Sequence, residues 1–411
     1  MSDARPLSAM QRAMMVQEAL AGHPMYTMPV RFAISGPLDA DALEESLHHV
    51  LGRHPVLLST YDGEVALPSP RGFSGLRRLT GGTDTSVAAL TGLGDTRFDL
   101  ATEVPVRAVL VADSPGEHSL GLAVHHVAGD SWSLALLLRE LGRAYAAAVA
   151  RTTPDLDPAP DFFAYAAREQ EREWGAESDW WHARLAGAPV RPAPRTGPPT
   201  GQESGTYVVA DLGIDAHDTR EIRATARAEH VSPSTVLFTA VSAAVTGERH
   251  ESVVGLPAAL RDTARRQATV GPLINTLPVR TSWTAGTRGA ELLRAHALSM
   301  EEALAHKDTP YPVILRAAGA RRGSGADPLL VHMVNVDPVA LDLPLPGLRT
   351  RARPIAPRWA NVPALWEFTW GTVGNFRGVL RADADSFTPQ DVREAAGRFR
   401  HALRQLVLQP R

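Results

Sequence analysis

Two adjacent histidines followed four residues later by an aspartate, His125-His126-Val127-Ala128-Gly129-Asp130, combine residue types suited to moving a proton. An imidazole titrates near neutral pH and can serve as acid or base there. The short apolar run Ser119–Val124 before them reads as a buried strand, and the Leu- and Ala-rich stretch Ser133–Ala150 after them as a helix. In a strand, consecutive side chains point to opposite faces, so one histidine should face a cavity and the other pack inward. Asp130 follows where the chain has turned, and can fold back to fix the loop or pair with a cation. Adjacent histidines are also commonly structural; His48-His49, on an amphipathic helix near Arg53-His54, are read that way. No metal site is expected. Adjacent histidines chelate poorly, no His-Glu-x-x-His pair occurs, and the chain has no cysteine.

The elements around this motif alternate in type. Met28–Ser35 and Val104–Ala112 read as strands, and 39–53 as a helix capped by Asp39, with Leu43, Leu47, Val50 and Leu51 on one face. Residues 161–186 have a helical pattern. Composition then shifts to Pro, Gly, Arg and Thr, a linker signal. Beyond it come strands at Tyr207–Leu212, Ser252–Leu256, Thr276–Trp283 and Leu329–Val336, and helices at Asp218–Glu229, Ser232–Thr246 and Glu291–His306. A hairpin, Leu365–Val373 with Gly378–Ala382, turns at Gly374-Asn375, and a last helix spans about Thr388 to Leu408. Both halves mix helices and strands, so two α/β lobes are expected: 1–187, a linker at 188–206, and 207–411.

Composition excludes several classes. With 411 residues the chain can bury a large core without staples. A net charge of −3 offers no field to draw nucleic acid or an anionic membrane surface. No apolar run reaches the roughly 20 residues that span a bilayer, and Met1–Arg12 lacks a signal-peptide core. The absence of cysteine rules out disulfides and thiol nucleophiles and fits a cytoplasmic setting. Lys307 is the sole lysine, so Schiff-base chemistry has almost nowhere to occur.

His-His-x-x-x-Asp after a strand resembles the motif of the chloramphenicol-acetyltransferase-like superfamily, and other segments resemble the condensation domains of non-ribosomal peptide synthetases in the same order. Pro6-Leu7-Ser8-Ala9-Met10-Gln11 resembles the opening Leu-Ser-x-x-Gln. Gly36-Pro37-Leu38-Asp39 and Arg53-His54-Pro55-Val56-Leu57 resemble the next stretch, and Trp181 through Pro189 the Trp-x-x-x-Leu-x-Gly-Ala-Pro that closes the first lobe. Val270-Gly271-Pro272-Leu273-Ile274-Asn275-Thr276 through Arg280, and His306 through Tyr311, resemble two second-lobe motifs.

The resemblance implies an α/β fold of two chloramphenicol-acetyltransferase-like lobes in a V-shaped pseudo-dimer, with the site in a central tunnel. It implies His126 as the catalytic histidine, with His125 and Asp130 chiefly structural, and Asp130 a candidate partner of Arg280. Asn275, Gly129, Ser131 and Trp132 are supporting residues. The implied reaction is acyl transfer from a phosphopantetheine-bound thioester to an amine or hydroxyl acceptor, with no intrinsic cofactor. The implied partner is an acyl or peptidyl carrier protein acting in trans on a free-standing domain, with a small-molecule acceptor possible. Rival expectations are an acyl-CoA-dependent acyltransferase and a catalytically silent carrier-docking scaffold.

Three positions depart from the pattern. Ser131 replaces the usual Gly after the motif Asp, which alters the loop or caps the following helix. Leu58 replaces a second Arg, and Ala13-Met14-Met15 replace an aromatic residue. The two histidines set the chain apart from the cyclisation branch, which replaces them with Asp, and from the usual pattern of the oxygenase-recruiting branch, which usually loses the second.

Overall fold

The computed structural model describes residues 3–188, 197–198, 203–246, 250–287, 289–319, 329–337, 339, 341–370 and 374–408. It divides into two compact units, one built from Met1–Arg172, Leu260–Leu273 and Val339–Arg358, the other from Glu173–Ala259, Ile274–Pro338 and Trp359–Arg411. Most of the expected linker, 189–196 and 199–202, lies outside the described residues.

The first unit is organised by a sheet ordered Arg349–Pro354, Thr27–Ser35, Glu117–His125, Val106–Ser114, Arg77–Thr80. The strand that ends at His125 is its central member, antiparallel to both neighbours, with Thr27 opposite His125 and Val106 opposite Val124. Backbone ladders on both sides leave that strand little freedom. Its residues from Ser119 onward are buried, which explains the nearly unbroken apolar run. The helices Ala40–Gly52 and Ser131–Ala150 pack on each other. Asp39 caps the former, accepting from the backbone N–H groups of Asp41 and Ala42.

The helix Thr83–Asp95 packs on the same sheet at Gly121. A Cβ there would stand 2.1 Å from Leu90 Cδ2, 2.7 Å from Leu93 Cδ1 and 3.1 Å from Val109 Cγ1. Glycine is thus what lets this helix sit down on the strand. Gly121→Ala should cost about 1–3 kcal/mol through overpacking. Thermal unfolding would show it, and Gly121→Ala combined with Leu90→Ala should lose less than the sum of the two single changes.

The second unit holds a sheet ordered Ile274–Ser282, Glu251–Ala259, His332–Asp337, Ala364–Trp370, Phe376–Asp383, Tyr207–Asp211. The expected hairpin is the antiparallel pair Ala364–Trp370 and Phe376–Asp383; residues 371–373 of its turn lie outside the described residues. The helical pattern of 161–186 forms two helices, Phe163–Glu171 and Gly175–Leu185, separated where Arg172 takes extended backbone angles. Among the described residues no helix is long and apolar enough to cross a membrane.

Two histidines in this unit, His296 and His332, are pushed by burial from 6.5 to about 4. Because the folded value lies below the unfolded one, the unfolded chain takes up protons first as pH falls. The stability each neutral ring contributes is complete above 6.5 and is lost as pH drops from there to about 4. The slope is about 1.4 kcal/mol per pH unit per histidine. Urea unfolding followed across that interval should show the loss, and His296→Asn should reduce the slope by about 1.4 kcal/mol per pH unit.

Candidate active site

After His125 the chain leaves the sheet. His126 N–H donates to the Tyr26 carbonyl at 2.8 Å, Ala128 N–H reaches back to the His125 carbonyl at 2.9 Å, and a helix begins at Ser131. The two histidines part as the strand geometry requires. His125 is fully buried, and His126 is half-buried.

Both ring nitrogens of His125 are occupied. Val127 N–H donates to Nδ1 at 3.0 Å, and Nε2 lies 2.9 Å from a carboxylate oxygen of Glu18, itself buried on the helix Ala9–Ala21. An amide can only donate, so Nδ1 accepts and the ring hydrogen sits on Nε2, directed at Glu18. In His126, by contrast, Nδ1 is buried and has no hydrogen-bond partner among the described residues. Burial holds its imidazole below the ordinary histidine value, while the Asp130 charge pulls in the opposite direction. The net result is a neutral ring at neutral pH, the form that can accept a proton.

Asp130 is the N-cap of the helix Ser131–Ala150, accepting from Ser133 N–H at 2.7 Å. Ser131 is the first helical residue, so the cap expected of it belongs to its neighbour. The expected Asp130–Arg280 pair does not form; Arg261 is the partner. Its Nη2 lies 2.7 and 2.9 Å from the two carboxylate oxygens and its Nε 3.3 Å from Oδ2, with both side chains buried. Arg261 also donates to the Arg266, Thr269 and Gly271 carbonyls. The Ser133 hydroxyl, 2.7 Å from Asp130 Oδ1, completes the network by accepting from Gly271 N–H at 3.1 Å. Gly129 leaves room for it, because a Cβ there would stand 3.2 Å from Ser133 Cβ. Trp132 is exposed, and its indole N–H donates to the Gln267 carbonyl at 2.8 Å.

Arg280 is committed within the second unit. It pairs with Glu251 and donates to the Arg184 and Ala186 carbonyls at the C-terminal end of the helix Gly175–Leu185. Those are acceptors that a helix end leaves unsatisfied, so a cation suits the position. Arg280 also lines a cavity of about 680 Å³ with Trp180, Arg184, Glu302 and His306. The His306 ring stacks on Trp180, 3.8 Å between centroids. Asn275 is likewise structural in its contacts. Its amide donates to the Lys307 and Thr309 carbonyls and its oxygen accepts from Tyr311 N–H, which fixes the turn into the helix Tyr311–Ala317.

Sequence reasoning named Gln11 only as part of a motif and missed Glu18 and Arg261. Gln11 forms a capping box with Ser8 and donates from Nε2 to the Val127 carbonyl at 2.8 Å, tying the opening motif to the loop after His126.

Comparison with solved structures defines the class first. The X-domain of teicoplanin biosynthesis in complex with OxyB matches over 100% of this chain and 94% of its own, with TM-score 0.86 and 24% identity. The first condensation domain of the calcium-dependent antibiotic synthetase matches over 99% and 97%, with TM-score 0.78 and 21% identity. These likenesses establish a mixed α/β, chloramphenicol-acetyltransferase-like fold. The Condensation domain family model matches residues 78–350. A probable non-canonical nonribosomal peptide synthetase, CymA of Salinispora arenicola, is 30% identical over 98% of the chain. The isonitrile lipopeptide synthase of Mycobacterium tuberculosis is 28% identical over 98%. The chain belongs to the condensation domain family of non-ribosomal peptide biosynthesis. It spans 6% of the first relative's length and 17% of the second's.

Proposed function

We propose that the chain catalyses acyl transfer from a thioester on the phosphopantetheine arm of a carrier protein to an amine or hydroxyl acceptor. The observation that carries this reading is the state of His126. Its ring is held neutral by burial and half-buried, at the end of a strand paired on both sides and within the field of the Asp130 carboxylate. In the forward step the acceptor nitrogen or oxygen attacks the thioester carbonyl carbon, forming the new C–N or C–O bond. His126 takes the acceptor's proton, the C–S bond breaks, and the proton passes to the leaving thiolate. Asp130, held by Arg261 and its cap, favours the imidazolium formed in between.

The test is mass spectrometry of the protein incubated with acyl-carrier, acyl-pantetheine and acyl-CoA thioesters and with mixed amine and alcohol acceptors. Product from carrier-bound donors is the expected result. Product from CoA thioesters alone would transfer the reading to the CoA-dependent branch. A second reading, a docking scaffold, draws on the likeness to the X-domain solved in complex with OxyB. Against it stands the intact His125-His126 pair. A carrier complex that forms without any product would favour the scaffold.

A further inference from the structure

Glu18 places a buried carboxylate beside the motif, where nothing in the motif itself calls for one. One oxygen lies 2.9 Å from His125 Nε2, and the other accepts from Tyr26 N–H at 3.3 Å. The Tyr26 carbonyl in turn holds His126 N–H at 2.8 Å, and the Tyr26 ring stands edge-on to both histidines, with centroids 6.3 and 6.2 Å away. A single carboxylate therefore contacts both supports of His126: the ring of the residue before it and the segment that receives its own N–H. We infer that Glu18 is a positioning residue for His126, holding His125 as the neutral Nε2–H tautomer and thereby fixing the 125–127 backbone and the direction of the His126 ring. The inference rests on the reading of His126 as the base.

The chemistry of the tautomer makes this testable. Val127 N–H requires a lone pair on His125 Nδ1, so the hydrogen must be on Nε2 and must meet an acceptor. Glu18 presents two acceptor oxygens to two donors, His125 Nε2–H and Tyr26 N–H. Glu18→Gln keeps the shape but has one acceptor oxygen and one NH2 group. If NH2 faces His125, the ring must move its hydrogen to Nδ1, against Val127 N–H; if it faces Tyr26, it meets the amide there. Either arrangement sets a donor against a donor and loosens one support of His126.

The experiment joins kinetics to ring-nitrogen NMR of histidine-labelled protein, with His125 and His126 signals identified by their loss in His125→Asn and His126→Asn. Wild type should show His125 as the pure Nε2–H tautomer. Glu18→Gln should show a mixture, and kcat should fall 10- to 100-fold with KM for the donor nearly unchanged, as expected when a reacting group is misaligned. Glu18→Asp retains two acceptors and should recover part of kcat. A wild-type kcat in Glu18→Gln overturns the inference whichever way the amide faces, as does a mixed His125 tautomer in the wild-type protein. The spectra need no turnover. If the wild-type protein forms no product, the functional reading fails by itself, and the tautomer still decides whether Glu18 sets this geometry.

Discussion

Arg261→Ala should destabilise the first unit by about 3–5 kcal/mol, the range for stranding one member of a buried ion pair. Asp130 and Arg261 are both buried, with side-chain exposures of 6% and 4%, so neither charge can recover hydration while the fold persists. The truncation also leaves the Thr269 carbonyl short of a donor. Asp130 would keep its cap on Ser133 N–H, so the helix Ser131–Ala150 should still start in the same place. The double variant Asp130→Asn with Arg261→Met should lose less than Arg261→Ala alone. It removes both charges together, and Asn still caps. Urea unfolding combined with amide exchange in the helix Ser131–Ala150 reads both effects. A loss below about 1 kcal/mol for Arg261→Ala, the range of solvent-screened pairs, would mean that water reaches the pair.

The same pair shows where sequence reading stops. The motif strand, its helix and the cap at Asp39 follow from patterns contained in a dozen residues, and they stand where those patterns put them. Arg261 lies 131 positions from Asp130. It is followed by Asp262 and Arg266 in a polar stretch, and nothing local separates it from other arginines. Its role exists because Leu260–Leu273 packs with the first unit although its sequence neighbours belong to the second. Arg280 lies in a recognisable motif and was the natural candidate, yet Glu251 and two helix-end carbonyls already occupy it.

Elements with weak apolar patterns were invisible for a related reason. The helix Thr83–Asp95 is rich in Thr, Ala and Gly, and takes its place from contact with the sheet at Gly121. The strand Arg349–Pro354 reads Arg-Thr-Arg-Ala-Arg-Pro and sits at the edge of its sheet, where charge and proline are tolerated and apolar alternation is not required. Glu18 gave no signal because a carboxylate at the end of a helix is ordinary until the fold buries it beside an imidazole.

The two adjacent histidines should respond in opposite ways to truncation. His126→Ala should reduce kcat by about 10²–10⁴-fold, the usual contribution of a general base. Its stability should stay close to that of the wild type. The Nδ1 atom it removes is buried without a partner, and deleting an unsatisfied polar group offsets part of the packing lost against Tyr26. His125→Ala should instead cost about 2–4 kcal/mol, since it opens a cavity and strands both Glu18 and Val127 N–H. The pH profile separates base catalysis from a loss of shape. With the His126 pKa held below 6.5 by burial, the neutral, proton-accepting form persists as pH falls through that value. The acid limb of kcat should therefore lie below the ordinary histidine range. Asp130→Asn removes the charge that raises this pKa and should move the limb further toward acid, at some loss of rate because the imidazolium intermediate is less supported. Active His126→Ala would sink the assignment outright. An acid limb at or above 6.5 would show that solvent, rather than a buried environment, sets the ring's proton affinity.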